Sequence, residues 1–334
     1  MNRKLSLLYM ILTLLVVAEC EKPRCASCIP DNYDQAAREI ISMGLNPIRA
    51  NIVPKEPAVT KSESYFNDIA SIDIYVFDSE TELLDIHRRF RSISEMEKTP
   101  IAVGTGARTF VVLVNMPEAS LESDTLKELS YQKINAGDEG LDKLWWGSAD
   151  IEINGAANLV FDVQRYYAEI NVRSISTRFD NSPAEMIEDA SVYVLNAPAS
   201  VSWLGESDLT KRVDRLIVTQ LGNIEDGTEL KNIASFQVFE KCDGIDTAGN
   251  KAIYVTIEGT IAGTRYYWPV PVNFNAYGEG MYEPKGISAN TVYNLDITIT
   301  GKGGNSPDTP LSFTHISISC EIAGWGECIS EITL

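Results

Sequence analysis

Ser71-Ile72-Asp73-Ile74-Tyr75-Val76-Phe77-Asp78 is the stretch on which the fold turns. Ile72, Ile74 and Val76 alternate with Asp73 and Tyr75 before the run closes on Phe77 and Asp78, a period of two that lines one face of an extended chain with apolar side chains. The pattern predicts a half-buried β-strand. It has an echo in Asp189-Ala190-Ser191-Val192-Tyr193-Val194-Leu195-Asn196, and the repeated grammar predicts two related sandwich units in tandem.

Working outward, residues 108–115 contain the continuous apolar run Phe110, Val111, Val112, Leu113 and Val114, which stops at Asn115, Met116 and Pro117. A strand buried on both faces accounts for it most simply. Residues 80–97 are charged, with Leu83, Leu84, Ile86, His87 and Phe90 loosely spaced, and read as an irregular strand pair or a short helix. Residues 120–131 carry Leu121, Leu126 and Leu129 among acids and a lysine, as a helix would. Short strand patterns at 151–153 and 159–163 close a first unit, and 167–179 opens a second through Ile170, Val172 and Ile175. Further strands are predicted at 252–258, 264–273, 291–300 and 311–321, separated by turn clusters at Gly259, at Gly278 with Gly280, and over 301–310. Pro269 and Pro271 mark an edge strand or a bend.

The chain of 334 residues begins with Arg3 and Lys4, then an apolar run over 5–18, which reads as a signal peptide too short to span a bilayer. The division that follows is 1–18 signal peptide, 19–60 leader, 61–165 first β-sandwich and 166–334 second. Within the leader, Ile41, Met43 and Leu45 alternate with Ser42 and Gly44, a strand signal, while 34–39 could start a short helix. The net charge of −19 excludes a phosphate-dense partner such as nucleic acid. Six cysteines, at 20, 25, 28, 242, 320 and 328, would meet an oxidising compartment after export. Cys25 and Cys28 lie in a Pro-rich leader with no strand before them or helix after them, which speaks against a redox or metal dithiol. Cys320 and Cys328 are close enough in sequence for a hairpin-closing disulfide.

No catalytic constellation is legible. His87 and His315 are the only histidines, far apart in the chain, His87 in an exposed basic run and His315 within a strand. Gly104-Thr105-Gly106 lacks a third glycine and leads into a strand, so it reads as a turn, not a phosphate loop. Asp138, Glu139, Asp142 and Asp150, and Asp243 with Asp246, Gly249 and Asn250, offer carboxylates without calcium-loop spacing, and solvated turns explain them. Trp145, Trp146, Tyr266, Tyr267 and Trp268 could form a platform for sugar rings, although aromatics in a sandwich are usually packing. Arg88, Arg89 and Arg91 read as a solvated face. The chain is therefore expected to be no enzyme and to need neither metal nor cofactor.

In its motifs the sequence resembles the Bacteroidia-type fimbrillins, the subunits of type V pili. The likeness rests on 72–78, on Gly106-Ala107-Arg108-Thr109 leading into 111–117, on 190–198, on Asn290-Thr291-Val292-Tyr293-Asn294-Leu295, and on a last strand ending near Trp325. Their order and spacing cover most of residues 65–334. The resemblance implies an all-β protein of two tandem transthyretin-like β-sandwich domains with few short helices. It also implies export to the outer membrane surface as a lipoprotein, through a lipid on Cys20, although Glu19 departs from the usual lipid-attachment motif. An arginine-specific protease would then remove an N-terminal strand, here between Arg49 and Ala50 or alternatively after Arg38, taking Ile41, Met43 and Leu45 as its buried face. The groove left open would be filled by a strand from another pilus subunit. The donor is expected in the C-terminal segment, with Phe313, Ile316, Ile318, Ile322, Ile329 and Ile332 as apolar anchors. The implied partners are other subunits of the fimbrium and a host glycan or protein, and Arg49 is placed as a stalk subunit's processing site would be. A carbohydrate-binding or anchoring surface lipoprotein that keeps its N-terminal strand is the alternative.

Overall fold

The computed structural model describes residues 38–47, 69–117, 123–179, 185–241, 252–277, 281–309, 311–312, 314–324 and 330–332. The first half contains strands β1 (Arg38–Pro47), β2 (Ile72–Asp78), β3 (Leu84–Phe90), β4 (Ile101–Gly104), β5 (Gly106–Val114), β6 (Lys133–Asn135), β7 (Trp145–Ile153) and β8 (Ala157–Arg165). Two short helices lie among them, α1 (Ile93–Lys98) and α2 (Leu126–Tyr131). Each starts at a hydroxyl cap, since Ser92 accepts from the Glu95 N–H and Thr125 from the Glu128 N–H. The second half contains β9 (Tyr167–Thr177), β10 (Met186–Leu195), β11 (Ala197–Pro198), β12 (Ser200–Ser202), β13 (Arg212–Val213), β14 (Leu216–Glu225) and β15 (Glu229–Phe239). It continues with β16 (Tyr254–Ile261), β17 (Thr264–Pro271), β18 (Phe274–Tyr277), β19 (Met281–Pro284), β20 (Thr291–Ile299), β21 (Ile316–Gly324) and β22 (Ser330–Ile332). The protein is all-β.

In the first sandwich, β3-β2-β5-β7 form an antiparallel layer. The facing layer is β8-β1-β4, and the two are hinged only where Trp145 pairs with Arg165 and Trp146 with Gln164. Ile74, Val76, Phe110 and Val112 from one layer meet Ile41, Val103, Phe161 and Val163 from the other in one apolar core. In the second sandwich, β14-β10-β16-β17 faces β15-β9-β20-β21-β22 around Val192, Val255, Trp268, Leu295 and Ile318. The echoed sequences take equivalent seats. β2 lies between β3 and β5, and β10 between β14 and β16. β17, which carries Pro269 and Pro271, ends its sheet, as two missing N–H donors require.

Several expectations change. β2 is not half-buried, because the outer face that carries Asp73, Tyr75 and Phe77 is also covered. A further apolar cluster packs Tyr75, Phe77, Val111 and Leu113 against Leu129, Ile134, Tyr166, Val201, Trp203 and Phe239. That cluster, with the β6–β12 ladder from Lys133–Ser202 to Asn135–Ser200, ties the first half of the chain to the second. Residues Arg38–Leu334 accordingly form one compact unit. Among the described residues of 120–131 the helix is α2 alone, and 80–97 resolves into one strand and one short helix. His315 sits in the turn before β21, outside the strand.

Two long strands, β14 and β15, have no counterpart in the sequence reading. Register shifts interrupt their pairing with β10 and β9. Asp189, Ile217 and Asn232 take left-handed φ values of 50°, 48° and 52° at these irregularities. Each bulge adds a residue, so alternation slips from one face to the other and the period of two is lost.

Candidate functional site

The site is the seat of β1. Ile41 and Met43 are 0% and 4% exposed and project into the core, Leu45 packs against it, and Ile40 on the opposite face is 52% exposed. The alternation read from the leader thus places its first two apolar side chains inward. The N-terminal half of β1 pairs antiparallel with β4, from Arg38–Gly104 to Ile41–Ile101. The C-terminal half pairs parallel with β8, from Ile41–Ala157 to Pro47–Val163. Among the described strands β4 has no ladder partner except β1, and β8 otherwise touches only the end of β7. A strand that arrives from the far N-terminal side is the middle of its layer.

A charged cluster closes one end of this seat. Arg108, 6% exposed at its side chain, is ion-paired with Asp78 and lies 3.9 Å from Asp85. Its guanidinium also donates to the carbonyls of Gly104, Thr105 and Ala107. Gly104 lets the guanidinium lie close against the backbone, since a Cβ there would sit 2.4 Å from Arg108 Nη2 and displace it. Gly106 follows at φ +92°, so the two glycines serve a tight β4–β5 link. Asp85, 2% exposed at its side chain, accepts from the Gly104 N–H at 2.6 Å and from Arg38 Nη2 at 3.0 Å. Arg38 Nη1 donates to the Ala102 carbonyl. Burial works to raise the Asp78 carboxyl, but hydrogen bonds from the Thr81 N–H and hydroxyl and from Arg108 outweigh it and hold that carboxyl below its ordinary value.

Other residues singled out from the sequence are dispersed. His87 is not exposed in a basic run: its side chain is 25% exposed, Nε2 lies 3.1 Å from buried Asp73, and the ring stacks on Tyr75 at 4.2 Å. Arg89 leaves the expected solvated face, donating to the Met116 carbonyl and approaching Asp73, while Arg88 and Arg91 are exposed. The aromatics form no shared platform. Trp145 packs in the first core beneath the Arg165 guanidinium, Trp146 stacks on Tyr166 at the junction, and Trp268 is fully buried in the second core. Asp138, Glu139, Asp142 and Asp150 are all exposed, Asp138 accepting from the Asn135 N–H and Asp150 from the Thr109 hydroxyl. A cleft of about 430 Å³ beside them is lined by side chains of both signs, among them Lys133, Asp138 and Lys143, with Asn115 and Trp203.

At the other end of the chain, β21 pairs with β20 from Ile299–Ile316 to Thr291–Gly324. Ile316 and Ile318 are 0% and 3% exposed in the second core, and Ile322 packs against it. These three fill their own sandwich and cannot be lent without stripping it. Cys320 is a buried free thiol that donates to the Val272 carbonyl, and burial pushes it up to about 12. Among the described strands β22, carrying Ile332, lies at the edge of the sheet and pairs only with β21. Cys20, Cys25, Cys28, Arg49, Ala50, Cys242, Asp243, Asp246, Gly249, Asn250, Phe313, Trp325, Cys328 and Ile329 lie outside the described residues.

What the architecture defines is a class of all-β protein whose first sandwich holds, between β4 and β8, a strand from the far N-terminal side of the described chain. The chain belongs to the family of fimbrillin-A associated anchor proteins Mfa1 and Mfa2, which residues 60–331 match. It is therefore a Bacteroidia fimbrillin. A 65-residue stretch is 42% identical to the major fimbrium subunit FimA type-2 of Porphyromonas gingivalis, spanning 18% of this chain and 17% of that protein. In structure, the chain is similar to a FimA fimbrilin from Porphyromonas gingivalis W83, with a TM-score of 0.60 and 16% identity, covering 87% of this chain and 98% of that one. A cell adhesion protein from Parabacteroides distasonis aligns with a TM-score of 0.61 at 18% identity, over 86% and 97%. At these identities the likeness is one of fold.

Proposed function

We propose that this fimbrial subunit assembles by exchange of its β1 strand. A protease cuts the exported precursor between Arg49 and Ala50, β1 leaves, and a strand from a neighbouring subunit takes its place between β4 and β8. The observation that carries this reading is the position of β1 as the middle strand of β8-β1-β4. Its departure leaves β4 without a backbone partner and uncovers Ile101, Val103, Phe161 and Val163, which are 0–3% exposed. Each such side chain contributes about 1.5–3 kcal/mol when reburied, and the unpaired backbone groups add to the demand for a replacement.

Arg49 suits the cut better than Arg38. Arg38 lies within the β1 ladder with its side chain held on Asp85, so the bond after it is not free to enter a protease, whereas Arg49 lies beyond the end of β1 at Pro47. On the donor side, Ile316, Ile318 and Ile322 stay with their own core. That leaves the edge strand β22 and its flanks, with Ile329 and Ile332, as the segment to be lent. A lipid on Cys20 would hold the precursor at the outer membrane before the cut, and adhesion to a host glycan or protein follows from assembly.

Intact mass and N-terminal sequencing of the protein recovered from the cell surface test the proposal. A chain that begins at Ala50 and is found in polymers is the expected result. A monomeric chain that still begins at a lipidated Cys20 would overturn it in favour of an anchoring lipoprotein.

A further inference from the structure

The rim of the β1 seat bears on which strand it can accept. Two carboxylates, Asp78 and Asp85, face two guanidiniums there, Arg108 from β5 and Arg38 from β1. Arg108 is already committed to Asp78 and to three backbone carbonyls. Asp85 therefore depends on Arg38 for its closest cation, at 3.0 Å against 3.9 Å for Arg108. The cluster is neutral only while β1 is seated. Once β1 leaves, a carboxylate whose side chain is 2% exposed keeps the Gly104 N–H and a distant share of Arg108, and one negative charge is uncompensated.

This chain's own C-terminal segment brings no remedy. Residues 303–334 contain no Lys or Arg and carry Asp308, Glu321, Glu327 and Glu331. His315 is the one group there that can gain a positive charge, and it belongs to the turn before β21, a strand committed to its own core. Any strand drawn from this segment brings carboxylates and no Lys or Arg to a cluster left with one more carboxylate than guanidinium, a mismatch that discriminates as strongly as a good contact attracts.

Resting on the strand-exchange reading above, we propose that Asp85 selects the incoming strand, accepting one with an Arg or Lys opposite Gly104, three residues before the first inward apolar side chain, and rejecting the C-terminal strand of a second copy of this chain. The neighbour that completes the first sandwich is then a different subunit with a basic donor strand. A stalk of identical copies, the position Arg49 suggested, is not what this seat accepts.

The test uses the full chain cut with an arginine-specific protease, in which seated β1 is exchanged against labelled peptides. Three are compared: Arg38–Pro47 as it stands, the same peptide with Arg38→Glu, and residues 311–334. The native peptide is expected to bind about tenfold more tightly than its Arg38→Glu form and to outcompete 311–334. In a chain carrying Asp85→Asn, the preference between the first two peptides should fall to within about twofold. Should Asp85→Asn fail to fold, the peptide comparison on the unaltered chain decides by itself. Equal binding of the native and Arg38→Glu peptides, or displacement of β1 by 311–334 as readily as by the native peptide, overturns selection by Asp85 while leaving strand exchange standing. If no peptide exchanges with β1, strand exchange fails and selection with it.

Discussion

In the second sandwich, β20 sits between β9, which it pairs in parallel from Val292–Glu169 to Ile299–Thr177, and β21, which it pairs antiparallel along its whole length. In the first, β1 holds the corresponding place, parallel to β8 and antiparallel to β4. The contacts differ in extent, since β1 meets β4 only with its first half and β8 only with its second, overlapping at Ile41. They differ also in ownership. β20 is flanked on both sides by chain that belongs to the same sheets, so it cannot leave without unfolding the sandwich. β1 enters from a segment separated from β2 by more than twenty residues, and one cut there would free it as a unit. Two sandwiches of similar plan thus differ in how far the chain ties the middle strand to its sheet, and on the proposed strand exchange β20 is a fixture and β1 an insert.

The largest effect that sharpens this contrast concerns the buried charges of the first sandwich. Arg108→Ala in the full chain should cost about 3–5 kcal/mol by stranding Asp78 and taking a donor from the carbonyls of Gly104, Thr105 and Ala107, read as a drop in the urea midpoint. A loss below about 1 kcal/mol would mean that the cluster does not hold the β4–β5 link. Next come Ile41→Ala and Leu295→Ala, equivalent truncations in β1 and β20, each expected to cost about 2–5 kcal/mol in the uncut chain. After cleavage and replacement of β1 by an unaltered peptide, only the Leu295→Ala loss should persist in thermal unfolding. A deficit that stays with Ile41→Ala would break the comparison.

A smaller effect is expected from acid. The Asp78 carboxyl is lowered from 3.8 in the folded protein, so its contribution is complete above the unfolded value and is lost as pH falls through the lower folded value. The melting temperature of Asp78→Asn should therefore depend less steeply on pH below about 4 than that of the parent chain. Parallel curves would remove Asp78 from the account. Smallest is the counterpart cluster of the second sandwich. There Arg173 pairs with Asp296 and Glu321 on the outer face of β9, β20 and β21, but its side chain is 41% exposed. Arg173→Met should cost no more than about 1 kcal/mol. A cost matching that of Arg108→Ala would erase the distinction between the two clusters.

Much of the strand content was legible because β2, β5, β9, β10 and β20 keep their alternation or their continuous apolar runs. The apolar residues of β1 were legible for the same reason, Ile41 and Met43 being two apart. β14 and β15 were not, since bulges at Ile217 and Asn232 break the period on which such reading depends. The full burial of Tyr75 and Phe77 was hidden as well, because much of what covers them, from Leu129 to Phe239, comes from distant chain with no mark in the strand itself. Arg38 was noticed only as a protease target. Its role beside Asp85 joins residues from β1 and β3 with a backbone N–H from β4, and nothing in any one of those segments announces the other two.

What the sequence by itself determined is the class of structure: period-two runs, turn clusters and a detached apolar strand near the N-terminal side dictate an all-β chain. The tertiary structure alone decided which strands are neighbours, that β1 lies parallel to β8 and is the middle of its layer, and that Arg38 neutralises Asp85. The physical reason is that alternation is imposed by each strand's own backbone geometry, whereas pairing between distant strands depends on how two faces pack, which no local pattern encodes.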